Sequence, residues 1–160
     1  KVCCRRGCVV WQELVLMDAA QKTALLFSGL FLMSGMATGV WKYRKIMTSP
    51  EHHAPAYVDI SHRASFFYSF ACLVIAKLIE YSPFGGNVRL LIVGAPIALF
   101  ALTVTGYIAE GFRNRTDNMF RERNFITTWF MYALIAGEIG GFLLILGGFI
   151  YSQFFMGIAL

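Results

Sequence analysis

The chain is written as long apolar runs separated by short polar ones, and the runs have the length of a bilayer crossing. Four can be traced: Thr23 to Trp41 without a single charge, Ile60 to Ile79, Leu90 to Ala109, and Phe125 to Phe149, after which apolar sequence continues from Ser152 to Leu160. At a rise of about 1.5 Å per residue, a run of about 20 residues covers the roughly 30 Å of a hydrocarbon core. A barrel strand would instead alternate apolar and polar positions over about 10 residues. The pattern therefore predicts an all-α integral membrane four-helix bundle, forming one domain over residues 17–160 with spans at 23–41, 60–79, 90–109 and 125–149.

Composition agrees. Hydrophobic residues make up 58% of the 160, charged residues 14%, and the mean hydropathy is +0.61, which leaves too little polar surface for a water-soluble domain. The net charge of +5 does not point to nucleic acid, because the bases sit beside the apolar runs. Lys42, Arg44, Lys45 and Arg63 flank the first connection, and Arg113, Arg115, Arg121 and Arg123 the third. By the positive-inside rule, loops 42–59 and 110–124 face the cytoplasm, with the bacterial cytoplasmic membrane as the expected location. Lys1, Arg5 and Arg6 oppose that assignment. They belong to residues 1–16, which lack both an unbroken apolar core and a small-residue cleavage site. Met17 reads as a natural start, so residues 1–16 are set aside as an N-terminal extension of non-native character.

The loops are too short for a soluble catalytic unit, and no nucleotide-binding, metalloprotease or hydrolase motif is present. Chemistry must lie between helices. The richest segment is Glu51 to Glu80. Pro50 and Pro55 oppose helix, Asp59 or Ser61 offers an N-cap, and His62 opens the span. Ser65, Ser69, Cys72 and Ala76 follow at helical spacing, making a stripe of small side chains that admits a flat neighbour. The neighbour is another helix in one reading. In a second it is a planar cofactor resting on Ser65 and Ser69, with the His62 imidazole as the axial metal ligand. A third makes His62 a pH sensor. His52 and His53 lie in a proline-bounded loop, where solvation is the plain expectation and a metal set with Asp59 and His62 the alternative.

Glu138 interrupts the apolar stretch of the fourth span, and a carboxyl in hydrocarbon must pair, protonate or face a polar cavity. Helical rise puts Lys77 at a matching depth, so a buried Lys77–Glu138 pair is expected, either as a packing device or with Glu138 as a proton carrier. Gly35-x-x-x-Gly39 and Gly137-x-x-x-Gly141 predict close backbone contact. Pro96, near Gly94, predicts a bend in the third span.

The four-span layout, with its proline-containing first loop, His62 opening span two and Tyr107 in the inner half of span three, resembles the styrene oxide isomerases and, more distantly, the hydroxylaminobenzene mutases. The similarity covers the layout from Ala24 to Ile150 and centres on His62. It implies that His62 is the axial ligand of haem b at a subunit interface. It also implies that Tyr107, aligned through Arg89-Leu90-Leu91, hydrogen-bonds the substrate oxygen. The family carries asparagine six residues after the histidine, where this chain has Tyr68, a departure that affects the substrate. Six residues turn a helix by about 240°, so Tyr68 faces away from His62 and would serve the pocket of a neighbouring subunit. The resemblance thus implies a homo-oligomeric membrane isomerase of a small hydrophobic epoxide, with Tyr68 and Tyr107 as catalytic groups. The competing expectation is a non-catalytic small subunit that packs against a larger membrane enzyme.

Overall fold

The computed structural model describes residues 17–119, 121 and 126–156. The extension at 1–16 lies outside them, as do Arg123 and the predicted start of the fourth span at Phe125. The described residues form helices α1 (Ala19–Thr48), α2 (Ala56–Glu80), α3 (Gly86–Arg113) and α4 (Met131–Ile150), with π-helical turns at Ile126–Phe130 and Tyr151–Met156 on either end of α4. No strand occurs among the described residues. Four helices are long and apolar enough to cross a membrane. Successive helices run antiparallel, as paired positions show: Ser28 with Ser69 and Ser34 with Ser65, Tyr68 with Phe100, and Leu99 and Pro96 with Gly137 and Gly141.

The helices outlast the apolar runs because a helix need not end where hydrocarbon does. Helix α1 starts at a capping box: the Gln21 amide donates to Asp18 Oδ1 at 2.8 Å, and the Asp18 amide donates to Gln21 Oε1 at 3.3 Å. This satisfies two of the first-turn donors that lack intrahelical partners. Helix α1 then runs to Thr48, so Lys42, Arg44 and Lys45 are helical rather than in the loop. Helix α2 begins at Ala56 behind Pro55, not at a cap made by Asp59 or Ser61. Asp59 lies in the first turn, where its carboxylate suits the helix dipole, and it pairs with Lys42 at 2.5 Å and Arg63 at 2.6 Å. Ser61 is buried and donates to the Val58 carbonyl. Pro96 is buried within α3, which continues through it to Arg113, and packs against Gly141. Asn114 ends α3 in the left-handed region at φ 46°, its amide donating to the Glu110 carbonyl.

Helices α1 and α2 share the most extensive contact, α3 covers both, and α4 leans on α3 and more lightly on α2 without touching α1. The core is the line Ala20, Ala24 and Phe31 of α1, Cys72, Ile75 and Ile79 of α2, and Val93, Ile97, Phe100 and Val104 of α3, with Ile145 of α4. At the end opposite the basic loops, Arg89 staples three helix termini. Its Nη1 lies 3.0 Å from Asp18 Oδ2, ahead of α1, and its Nη2 donates to the Ile79 carbonyl at the close of α2. That carbonyl is one of the orphans a helix C-terminus leaves.

Arg89→Ala is expected to lower stability by about 2 kcal/mol, since it strands a part-buried carboxylate and a carbonyl, whereas Lys77→Ala, which removes only an exposed pair, leaves stability unchanged. Unfolding in detergent, followed by circular dichroism, checks both.

Candidate functional site

Two polar constellations occupy opposite sides of α2. The first is the α1–α2 seam. Ser28 Oγ donates to the Ser69 carbonyl at 3.0 Å and Ser69 Oγ to the Ser28 carbonyl at 2.9 Å, while Ser34 Oγ lies 3.3 Å from Ser65 Oγ. Ser61, Ser65, Ser69 and Cys72 are buried. The small side chains bring the two backbones close enough for these bonds, as in tightly packed membrane helices. The flat neighbour of the stripe is therefore α1. With α1 seated on them, Ser65 and Ser69 do not form a face on which a planar cofactor rests.

His62 borders the same seam, half-buried. Its Nδ1 lies 2.8 Å from the Gly35 carbonyl oxygen, and a carbonyl only accepts. Nδ1 therefore carries a proton, so in the neutral imidazole the lone pair is on Nε2. The Gly35-x-x-x-Gly39 motif is the seat for this ring and for its edge-on neighbour Phe66, 5.1 Å away between centroids. A methyl at Gly35 would come within 3.1 Å of Phe66, and one at Gly39 within 2.8 Å of His62 Cε1. Fixing a histidine tautomer by an Nδ1–H bond to a backbone carbonyl is the outer-shell arrangement found behind metal-ligating imidazoles. His62 thus fits an axial ligand, although the serine stripe does not fit the cofactor's face.

The second constellation is a cavity of about 310 Å³ between α2, α3 and α4, lined by Tyr68, Thr103, Tyr107, Met119, Leu134 and Glu138 among others. Tyr68 stacks on Phe100 at 4.2 Å between centroids, which turns its ring away from His62 toward α3 and α4. Its hydroxyl lies 3.5 Å from Glu138 Oε1, a long hydrogen bond. Tyr107 faces the same space, backed by Tyr57 at 6.1 Å. The Tyr57 hydroxyl oxygen accepts from the Met119 amide at 2.6 Å, which ties the α3–α4 connection over the basic end of the cavity. Leu102 and Ile135, both exposed, belong to the lining, so the cavity opens sideways between α3 and α4. Its size suits a small molecule, and its composition is that of a ligand site, apolar with a few convergent polar groups.

Lys77 and Glu138 do not meet. Lys77 is exposed and pairs with Glu80 at 2.9 Å, its ammonium also lying 4.9 Å from the Tyr81 ring centroid. It stands nine residues beyond Tyr68, about 14 Å further along the helix, close enough to the end of α2 to extend out of hydrocarbon. Glu138 lies level with Tyr68, and among the described residues no Lys or Arg pairs with it. His52 and His53 are exposed in the first loop, and no three His, Cys, Asp or Glu side chains gather as a metal site among the described residues. Thr103 and Met119 were not singled out in the sequence. Thr103 sits one helical turn from Tyr107, a signal that was available; Met119 reaches the cavity through the fold of a loop, for which the sequence carries none.

Comparison with protein-family models, with curated proteins and with solved structures finds no match to this chain.

Gly39→Ala is expected to push the His62 ring off the Gly35 carbonyl. The imidazole ¹⁵N spectrum reads it: the wild type shows a protonated Nδ1 and a lone-pair Nε2, and the variant loses this tautomeric preference. Overpacking of this kind costs about 1–3 kcal/mol.

Proposed function

We propose that this chain is a membrane isomerase of a small hydrophobic epoxide-type substrate, working as a homo-oligomer in the bacterial cytoplasmic membrane with loops 42–59 and 110–124 on the cytoplasmic side. One observation carries the reading. Tyr107, picked out by resemblance to the styrene oxide isomerases, and Tyr68, which stands where that family has asparagine, line one small-molecule-sized cavity. Two phenols converging on an apolar space is an arrangement for holding a single oxygen atom while charge develops on it.

In this reading His62, its Nδ1 anchored on the Gly35 carbonyl, would hold haem b through Nε2, and the group would supply a Lewis acid for the epoxide oxygen in an isomerisation without net oxidation or reduction. Tyr68 and Tyr107 hydrogen-bond the oxygen, and the surrounding Leu102, Phe130, Leu134 and Ile135 exclude water from the opened intermediate. His62 turns toward α1, whereas the cavity lies on the α3–α4 side of α2. Imidazole and cavity of one subunit therefore do not share a space, and the reading requires the cavity of one copy to meet the His62 of another.

Protein purified in detergent is expected to show a Soret band that disappears in His62→Ala with the fold retained. Tyr107→Phe should keep the band and lower kcat for styrene oxide isomerisation by about 10²-fold, the usual effect of removing one donor to a developing oxyanion. A colourless preparation that copurifies with a larger membrane protein would overturn the reading in favour of a packing subunit.

A further inference from the structure

The Glu138 carboxyl is unexplained by the reading above, and its geometry bears on how Tyr68 can act. A phenol has one proton. If Glu138 is a carboxylate, the 3.5 Å contact takes that proton, and Tyr68 shows the cavity only lone pairs. If Glu138 is a neutral acid, it donates to Tyr68 Oη, and the Tyr68 proton is released toward the cavity, where the Thr103 hydroxyl or an occupant can accept it. The protonation of one group therefore reverses the polarity of the other.

We infer that Glu138 is a positioning residue that works as the neutral acid, donating to Tyr68 so that the cavity selects a small apolar molecule whose polar group is a bare acceptor oxygen. The inference rests on the cavity being the substrate site. The surroundings favour it. Tyr107 from α3 and Tyr68 from α2 are the other titratable groups in the lining, and neither is a cation. Glu110 and Arg113, the nearest charges on α3 toward the basic end, pair with each other at 2.9 Å. Helix α1 contributes nothing to the lining, and Lys77 on α2 is taken by Glu80. Among the described residues a carboxylate in such a place has no counter-charge, and the inexpensive solution is to hold the proton. With Glu138 neutral, an epoxide, ketone or aldehyde oxygen meets a donor at Tyr68, whereas an ammonium group finds no anion.

Acetophenone, an unreactive acceptor-only probe, and 2-phenylethylamine, a cationic one, test this by titration into the full-length protein in detergent at a series of pH values. Wild-type affinity for acetophenone is expected to fall by about tenfold in all as Glu138 ionises, and then to level off, since the donor at Tyr68 is what is lost. Glu138→Gln, whose amide still donates to Tyr68, should retain binding with a flat profile, and Tyr68→Phe should bind about tenfold more weakly at low pH. A flat wild-type profile, tighter binding of 2-phenylethylamine than of acetophenone, or an unchanged pH profile in Glu138→Gln would each overturn the inference. Should Glu138→Gln not fold, the wild-type profile and Tyr68→Phe decide. Styrene oxide turnover and the Soret band, read on the same preparation, separate the two proposals: the binding pattern without turnover sinks the isomerase and leaves Glu138 in its role, and turnover with a flat binding profile does the reverse.

Discussion

Close approach of α1 and α2 is the constraint on which the remaining structure depends. In lipid, apolar burial gives little drive to associate, because acyl chains are as apolar as leucine. What holds this pair is backbone proximity made possible by serine and glycine, and hydrogen bonds from Ser28, Ser69 and His62 to carbonyls of the facing helix. Each such carbonyl also belongs to a helical ladder, and the Gly35 oxygen accepts from Thr38 Oγ1 as well, so these are additional bonds to acceptors already engaged. Because the seam consumes the small face of α2, the bulky face bearing Tyr68 is left for α3 and α4. The cavity is the remainder of that second, looser packing.

The looseness has a visible origin. Helix α4 is the least covered of the four; only Leu134, Ile145 and Gly148 are buried along it. Its glycines admit side chains from α3 and the preceding turn, Leu99 at Gly137, Pro96 at Gly141 and Phe84 at Gly148, but no serine ladder comparable to the α1–α2 seam holds it. A helix held mainly by shape leaves room beside it, and Glu138 lies where that room opens.

Much of the fold was legible because hydrocarbon demands continuous apolar helices, and composition alone marks them. Their ends were not, since helices project beyond the bilayer on the strength of capping and ion pairs: the Asp18–Gln21 box and the Asp59–Lys42–Arg63 cluster set limits that hydropathy does not see. At the site, helical phase correctly turned Tyr68 away from His62 and brought Ser65, Ser69 and Cys72 into one stripe. It left open what covers that stripe, because a helix and a flat cofactor ask for the same small residues. Rise along an axis misjudged Lys77, because it set His62 and the start of the fourth span at one depth, whereas Glu138 lies level with Tyr68, six residues from His62 and nine short of Lys77. Arg89 entered the sequence argument only through the Arg89-Leu90-Leu91 alignment; that it gathers three helix ends depends on tertiary placement.

If the cavity takes a small hydrophobic molecule as proposed, its sideways opening between Leu102 and Ile135 would admit one already dissolved in lipid. Its effective concentration is then fixed by oil–water partitioning before the protein is met. Each added methylene enriches a solute in the membrane by about 0.8 kcal/mol, close to fourfold. A homologous series of ligands would therefore rank by solubility in the bilayer even if the cavity itself treated them alike.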